Sequence, residues 1–520
     1  MLLWAVGLGL LAKREYFQPS AMRFAEAART VGPSTSFYSV SMGAGPIGYA
    51  SYTVDTLPGE IRVQDGMTID IDALGTVQRT ELLIEIRLTR DLRLRTFNAG
   101  LTSPAGTYRA VGEVQGDSVL AMEIDAGGGR PQRSRVRLDR AVVLSSLLPL
   151  QLAVGGRLQV GRTYTVRQFD PMLMEEQSTE VRVLAESTLV VPDSARFDST
   201  AGRWVAARYD TVRAWKIAQR YGGVAVESWL DPQGRIVSET SPIGFRTERT
   251  AFEIAVENWR RSRGAASPAA GRGTDIVAAT AIAADVALEP ASLAELRVVL
   301  RNVELRGLDL AGGRQRLHGD TLTVLRESGM STASPPSTRL SGVTAHLPIS
   351  TAGAAADTSL RGVVAALRPE PLVQSSDPRI QAQARQIVGR ERHAGPVAEL
   401  LTRWVYENID KRMTISVPSA LQVLEERRGD CNEHTVLYVA LARALGLPAR
   451  TAAGVVYLRG QFYYHAWPEV WLGRWVAVDP TFGQYPADAS HLRFVVGGLA
   501  RQVELLRLIG RVGLSVVATR

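Results

Sequence analysis

From about Ser36 to Glu257, apolar residues alternate with polar ones in short runs separated by turn residues. A helix built on that period would scatter its apolar side chains around its circumference, whereas a strand collects them on one face. Gly48-Tyr-Ala-Ser-Tyr-Thr-Val-Asp55, Glu81-Leu-Leu-Ile-Glu-Ile-Arg-Leu88 and Thr163-Tyr-Thr-Val-Arg167 join this alternation to β-branched content. In Trp229-Leu-Asp-Pro-Gln-Gly-Arg-Ile-Val237 a Pro-Gln-Gly turn separates two strand halves. The segment is expected to fold as an antiparallel β domain.

That pattern is similar to the curved half-barrel sheets of bacterial envelope proteins. Residues 261–274, with Ser-Pro-Ala-Ala-Gly-Arg-Gly at their centre, lack periodicity and read as a linker. A second β-leaning stretch covers 275–370, with Leu296-Arg-Val-Val-Leu-Arg-Asn-Val-Glu-Leu305 as its clearest strand. At 520 residues the chain has room for about three domains of roughly 100–200 residues. The expected layout is an apolar connector over 1–30, a β-rich domain over 31–260, the linker, the 275–370 domain, an α+β domain over 376–500 and a tail over 501–520. The fold class is α+β, with N-terminal antiparallel β domains followed by a C-terminal α+β domain.

Composition removes several classes of function. Hydrophobic residues at 45% and charged residues at 22% argue against wholesale disorder and a multi-span membrane protein. The net charge is +8, but 57 of the 60 cationic residues are Arg, and they form no stripe interleaved with aromatics. Nucleic acid is therefore not an expected partner. Cys431 is the only cysteine, so neither an intrachain disulfide nor a multi-thiolate metal site can form. No cofactor or metal is expected.

Met1–Ala12 is almost wholly apolar and is followed by Lys13-Arg14-Glu15. As a helix it would rise about 18 Å, short of the bilayer core of about 30 Å. It reads as the apolar part of a signal or anchor, or as a segment packed on the first domain. The first reading puts the folded domains in the cell envelope, on the periplasmic side, with membrane attachment through the N-terminus.

After Ser376 the period becomes helical. Asp377 and Pro378 make an N-cap and a first helical position, and Ile380, Ala384 and Ile387 follow on one face. A second helix carries Val397, Leu400, Leu401, Trp404, Val405 and Ile409. Ser419 and Gln422 are spaced as a capping box for a third helix running into Gly429. Asp430 and Glu433 have the same spacing at the start of a fourth, whose apolar face runs from Val436 to Leu445 and ends at Gly446. Cys431 falls in its first turn. Free N–H groups and the positive end of the helix dipole there favour a thiolate, although a lone cysteine is more often a small buried hydrophobe.

Gln461–Trp471 and Trp475–Asp479 read as two strands around the loop Leu472-Gly473-Arg474. With the hairpin centred on Leu472, His465 and Asp479 are cross-strand neighbours with Cβ atoms about 5 Å apart. The carboxylate then orients one imidazole nitrogen and leaves the other for a third group. Trp467, Trp471 and Trp475 are more simply core than substrate shelf.

The strings Arg428-Gly-Asp-Cys431-Asn-Glu-His434, Leu441-Ala-Arg-Ala-Leu-Gly-Leu-Pro-Ala-Arg450, His465-Ala-Trp-Pro-Glu-Val-Trp471 and Asp479-Pro-Thr481 closely resemble the transglutaminase-like superfamily of papain-related cysteine enzymes. The resemblance covers about residues 376–500. It implies Cys431 as nucleophile, His465 as general base and Asp479 as the residue that orients it. It also implies a cysteine-bearing helix packed on an antiparallel sheet. The implied chemistry is hydrolysis or acyl transfer at a peptide or protein amide through a thioester. The alternative is a catalytically inactive envelope binding or assembly module that keeps the fold. No segment reads as a gate for a protein lysine, and the chain holds only Lys13, Lys216 and Lys411, so hydrolysis is expected over cross-linking.

Overall fold

The computed structural model describes residues 28–264, 275–327 and 358–520, apart from 44, 74, 117–118, 127–130, 138–143, 172–174, 222–223, 242–243 and 415. The apolar Met1–Ala12 segment and most of the 261–274 linker lie outside the described residues. Among those described, fourteen strands between Ser34 and Thr250 form one antiparallel sheet. Eight step outward in chain order from Ser34–Met42 to Gln132–Arg137, and six step back from Thr163–Asp170 to Phe245–Thr250. The first and last strands meet in the middle, with Phe37 opposite Thr250 and Met42 opposite Phe245.

The alternation seen in the sequence separates the two faces of this sheet. In Gly106–Gln115, Tyr108 and Ala110 are buried while Arg109, Val111 and Glu113 face solvent. The short helix Leu148–Val154 covers the inner face. Its Leu148 and Leu152 pack on Val181 and Ile217, and Leu150 joins a cluster with Ile61, Ile86, Phe97 and Leu120. Each such side chain contributes about 1.5–3 kcal/mol on full burial.

The C-terminal part is the expected α+β domain. Helix α1 (Pro378–Val388) starts at Asp377, whose side chain accepts from Arg379 N. Helices α2 (Ala394–Asn408), α3 (Ala420–Glu426) and α4 (Cys431–Ala444) follow. The strands β1 (Ala449–Leu458), β2 (Gln461–Trp471), β3 (Trp475–Ala477) and β4 (His491–Val496) form a sheet in which β2 lies between Ile282–Ala283 and β1, with β4 beyond β1 and β3 also paired to β2. Helix α4 is buried from Glu433 to Arg443, sharing one core with α1, α2, α3 and the side chains Val470, Val476 and Val478. On the other side, Val455, Phe462, Ala466 and Phe494 pack with Leu296, Val298 and Leu322. Those last residues belong to a four-stranded sheet made by Glu295–Arg301, Gln315–His318, Thr321–Leu325 and Gly513–Thr519.

The helices also meet the large sheet, and two local features differ from those expected from the sequence. The Ser419/Gln422 capping box does not form. The Ser419 hydroxyl instead accepts from Gln374 Nε2 at 2.9 Å, and Gln422 Nε2 donates to Ala105 O at 2.6 Å. A buried amide takes the acceptor that the neighbouring domain presents. Helix α3 stops at Glu426, short of Gly429, because Arg427 adopts a left-handed conformation with φ 56°.

Candidate active site

The second capping box does form. Asp430 Oδ1 accepts from Asn432 N at 2.8 Å, and Glu433 Oε2 accepts from Asp430 N at 2.9 Å. Cys431 is thereby held at the first helical position, half-buried against the core that contains Ile282 and Ala466. The sulfur packs beside Ala466, whose backbone N–H favours its anion. Ala466 follows His465 on β2, so the strand that carries the imidazole also contacts the thiol.

His465 Nε2 lies 2.7 Å from Asp479 Oδ2, and both side chains are buried. The other carboxylate oxygen, Oδ1, accepts from the backbone of Thr481 at 2.7 Å and Phe482 at 3.1 Å. With Nε2–H donating to Asp479, Nδ1 is the ring nitrogen left for proton transfer. The Phe482 ring stacks on His465 with centroids 4.9 Å apart and planes 10° from parallel. Phe482 itself is 37% exposed, so it forms part of the rim.

The hairpin that joins these residues is centred one position later than expected. Trp471 faces Trp475 and Glu469 faces Ala477, which makes Gly473, at φ 82°, the centre. Only glycine takes that backbone conformation without cost. Asp479 therefore sits two residues from the position opposite His465. Because side chains alternate with period two, it stays on the same face. There the chain leaves β3 and Asp479 pairs with Gln484. Trp467 is core, 1% exposed, while Trp471 and Trp475 meet edge to face at the hairpin end.

Residues 381–480 match the model of the transglutaminase-like superfamily. They form a transglutaminase-like domain. No curated protein matches the chain. Among solved structures, the chain is similar to a candidate cysteine protease from Cytophaga hutchinsonii, at 16% identity and TM-score 0.26 over 44% of this chain and 86% of that one. It is also similar to the ethylmercury-bound periplasmic domain of TgpA from Pseudomonas aeruginosa, at 20% identity and TM-score 0.23 over 36% and 73%. A β-barrel-like protein of a domain of unknown function from Brucella abortus aligns at 13% identity and TM-score 0.31 over 42% and 96%. These likenesses are too distant to bear on the site.

The transglutaminase-like domain holds one site residue that the sequence did not disclose. His491, at the start of β4, is fully buried and contacts Asp479 Oδ2 through Nε2 at 2.9 Å and Asp488 Oδ1 through Nδ1 at 3.1 Å. Gly454 makes room for it. A Cβ there would lie 1.9 Å from Leu492 O, so β4 could not approach β1 so closely with any other residue. Burial would raise the Asp479 carboxyl, but His465 first and then His491 hold it well below the usual carboxylate range. Burial likewise disfavours a His491 cation, yet Asp479 and Asp488 raise it above the ordinary imidazole value. The Asp479 contribution to stability is complete above its unfolded value of about 3.9 and is lost as pH falls through the depressed folded one. The His491 contribution is complete below about 6.5 and is lost as pH rises through the raised value.

His465, Asp479 and His491 are also the one group among the described residues whose ligand atoms, within 4.8 Å of one another, could receive a metal ion. Two of these ligand atoms, His465 Nε2 and His491 Nε2, already meet the third, Asp479 Oδ2.

The thiol departs from the sequence-based expectation. Burial pushes Cys431 up, Asp430 adds to this, the Ala466 N–H pulls the other way, and Glu433 and Asp479 add further upward pressure. The capping box that marks the helix start thus places two acidic groups beside the sulfur, opposing the dipole. Iodoacetamide alkylation of the resting protein is expected to accelerate with an inflection above the value of about 8.5 for an ordinary thiol. A rate already on its plateau at neutral pH would show a preformed thiolate instead.

Proposed function

We propose that this protein is a cysteine-dependent amide hydrolase acting on a peptide or protein, with Cys431 as nucleophile, His465 as general base and Asp479 as its orienting partner. The observation that carries this reading is the buried 2.7 Å His465–Asp479 contact beside β2, the strand against which Cys431 packs. Burial favours the protonated thiol, and His465 Nδ1 takes that proton as the sulfur attacks the amide carbon. The carbonyl electron pair moves to oxygen. The Cys431 N–H, left without an intrahelical acceptor at the helix start, is a donor for that oxyanion. The C–N bond then breaks, the imidazolium protonates the departing amine and a thioester remains. Water attacks it, His465 takes the water proton, and the carbonyl re-forms with loss of the thiolate, which the imidazolium reprotonates.

His491 is a positioning residue in this scheme, since it acts on Asp479. Replacing it by phenylalanine keeps a ring and removes both N–H groups. Turnover is expected to fall about 10- to 100-fold from a loosened His465. KM should stay near its original value and the pH profile should shift. Unchanged kcat with lower thermal stability would leave His491 a purely structural role.

The function itself is tested by incubating the protein with a broad peptide library and a glutamine peptide, with and without a lysine donor. Cleavage, ammonia release and isopeptide formation are followed by mass. Cys431-dependent cleavage or deamidation supports the reading; isopeptide as the main product would replace hydrolysis with cross-linking. No Cys431-dependent product across the library would favour the inactive binding module.

The envelope is the location proposed, on the strength of the apolar Met1–Ala12 segment beside a β-rich domain. No helix among the described residues is long and apolar enough to cross a membrane. Recovery of the full-length native product wholly in the soluble cytoplasmic fraction would contradict this location.

A further inference from the structure

The segment 410–414 joins the candidate site to the large sheet. Asp410–Lys411 runs parallel to Arg428–Gly429, and Arg412 N donates to Gly429 O at 3.0 Å. The segment therefore lies alongside the residues that lead into Cys431. Together with Gln78 and Ala105 of the large sheet it encloses a cleft of about 360 Å³, within the range of about 300–1,000 Å³ typical of ligand sites.

Three cations border this cleft: Lys411, Arg412 and Arg428. Arg412 and Arg428 each keep one carboxylate partner, Asp410 and Glu426. Lys411 forms no ion pair among the described residues. Its ammonium donates to Tyr406 O at 2.8 Å and sits 4.0 Å over the Tyr406 ring. Its charge also acts on Asp479 and His434, so the field of the cleft reaches the candidate site. Thr414 adds a buried hydroxyl oxygen with no hydrogen-bond partner.

We propose that this cleft is a substrate subsite for a carboxylate-bearing stretch of peptide, and that it disfavours a lysine acceptor. The inference deepens the hydrolase reading and rests on it only for placing the scissile bond at Cys431. A cleft lined by one sign of charge concentrates ligands of the other sign. A guanidinium shared with one carboxylate still has N–H groups to offer a second. A protein ammonium that approaches past these cations meets like charge, whereas water does not.

The test reads binding without turnover, on the full chain carrying Cys431→Ser, so its outcome does not depend on Cys431 being the nucleophile. Three dansylated alanine-based octapeptides hold Glu, Gln or Lys at the same two positions. The Glu peptide is expected to bind about tenfold more tightly than the Gln peptide, with the Lys peptide weakest and the spread shrinking in salt. Lys411 and Arg412 are exposed. Replacing both with Gln is expected to bring the Glu and Gln peptides within about twofold of each other while leaving the Gln peptide unchanged. Equal binding of the three peptides, no binding of any, or an unchanged Glu preference in the double variant would overturn the proposal.

Discussion

Cys431→Ala protein is expected to fold as the wild type does and to release no product above background, a loss of at least about 10³-fold. The side chain is half-buried at the margin of a core, not at its centre, so truncation is expected to change stability by only about 1 kcal/mol. The sulfur has no replacement, because Cys431 is the only cysteine in the chain. Library cleavage by mass spectrometry and a thermal midpoint on the same sample measure the two quantities separately. Residual turnover within tenfold of wild type would mean that another group attacks the amide.

Asp479→Asn is expected to lower turnover by about 10³- to 10⁴-fold, far more than it lowers stability. The reason lies in the number of donors that converge on this carboxylate. Oδ2 receives both His465 and His491, while Oδ1 receives the N–H groups of Thr481 and Phe482. An asparagine has one oxygen for these two sides. If that oxygen serves the backbone donors, its NH₂ faces the imidazoles and forces His465 into the Nδ1–H tautomer, which cannot take the thiol proton. The reverse orientation opposes NH₂ to two backbone N–H groups. Turnover across pH, with ¹⁵N chemical shifts to identify the His465 tautomer, checks this account. A rate within tenfold of wild type would remove Asp479 from the mechanism.

Much of this arrangement was legible in the sequence because it is local. The alternation in Gly106–Gln115 and the caps at Asp377 and Asp430 each depend on residues a few positions apart. The pairing of His465 with Asp479 followed from a hairpin, although its centre fell on Gly473 because the left-handed conformation there suits glycine. The rest depends on distant parts of the chain meeting. Gly513–Thr519 pairs with Glu295–Arg301, and Ile282–Ala283 joins the edge of β2. Gln422 leaves its capping role for Ala105, far away in sequence. His491 becomes a partner of Asp479 only once β4 has settled against Gly454. The thiol differs from expectation for another reason. The helix dipole can be inferred from a cap, but burial and the combined effect of Asp430 and Glu433 depend on the folded surroundings.

The central claim is that an acyl group passes through the Cys431 sulfur. The most direct measurement mixes the protein with an activated amide, quenches in acid within milliseconds to seconds, digests, and determines the mass of the peptide containing Cys431. The account predicts an acyl adduct on that peptide that rises before product does, decays with turnover and is absent from Cys431→Ala protein. Full product formation with the sulfur unmodified at every time point would contradict it.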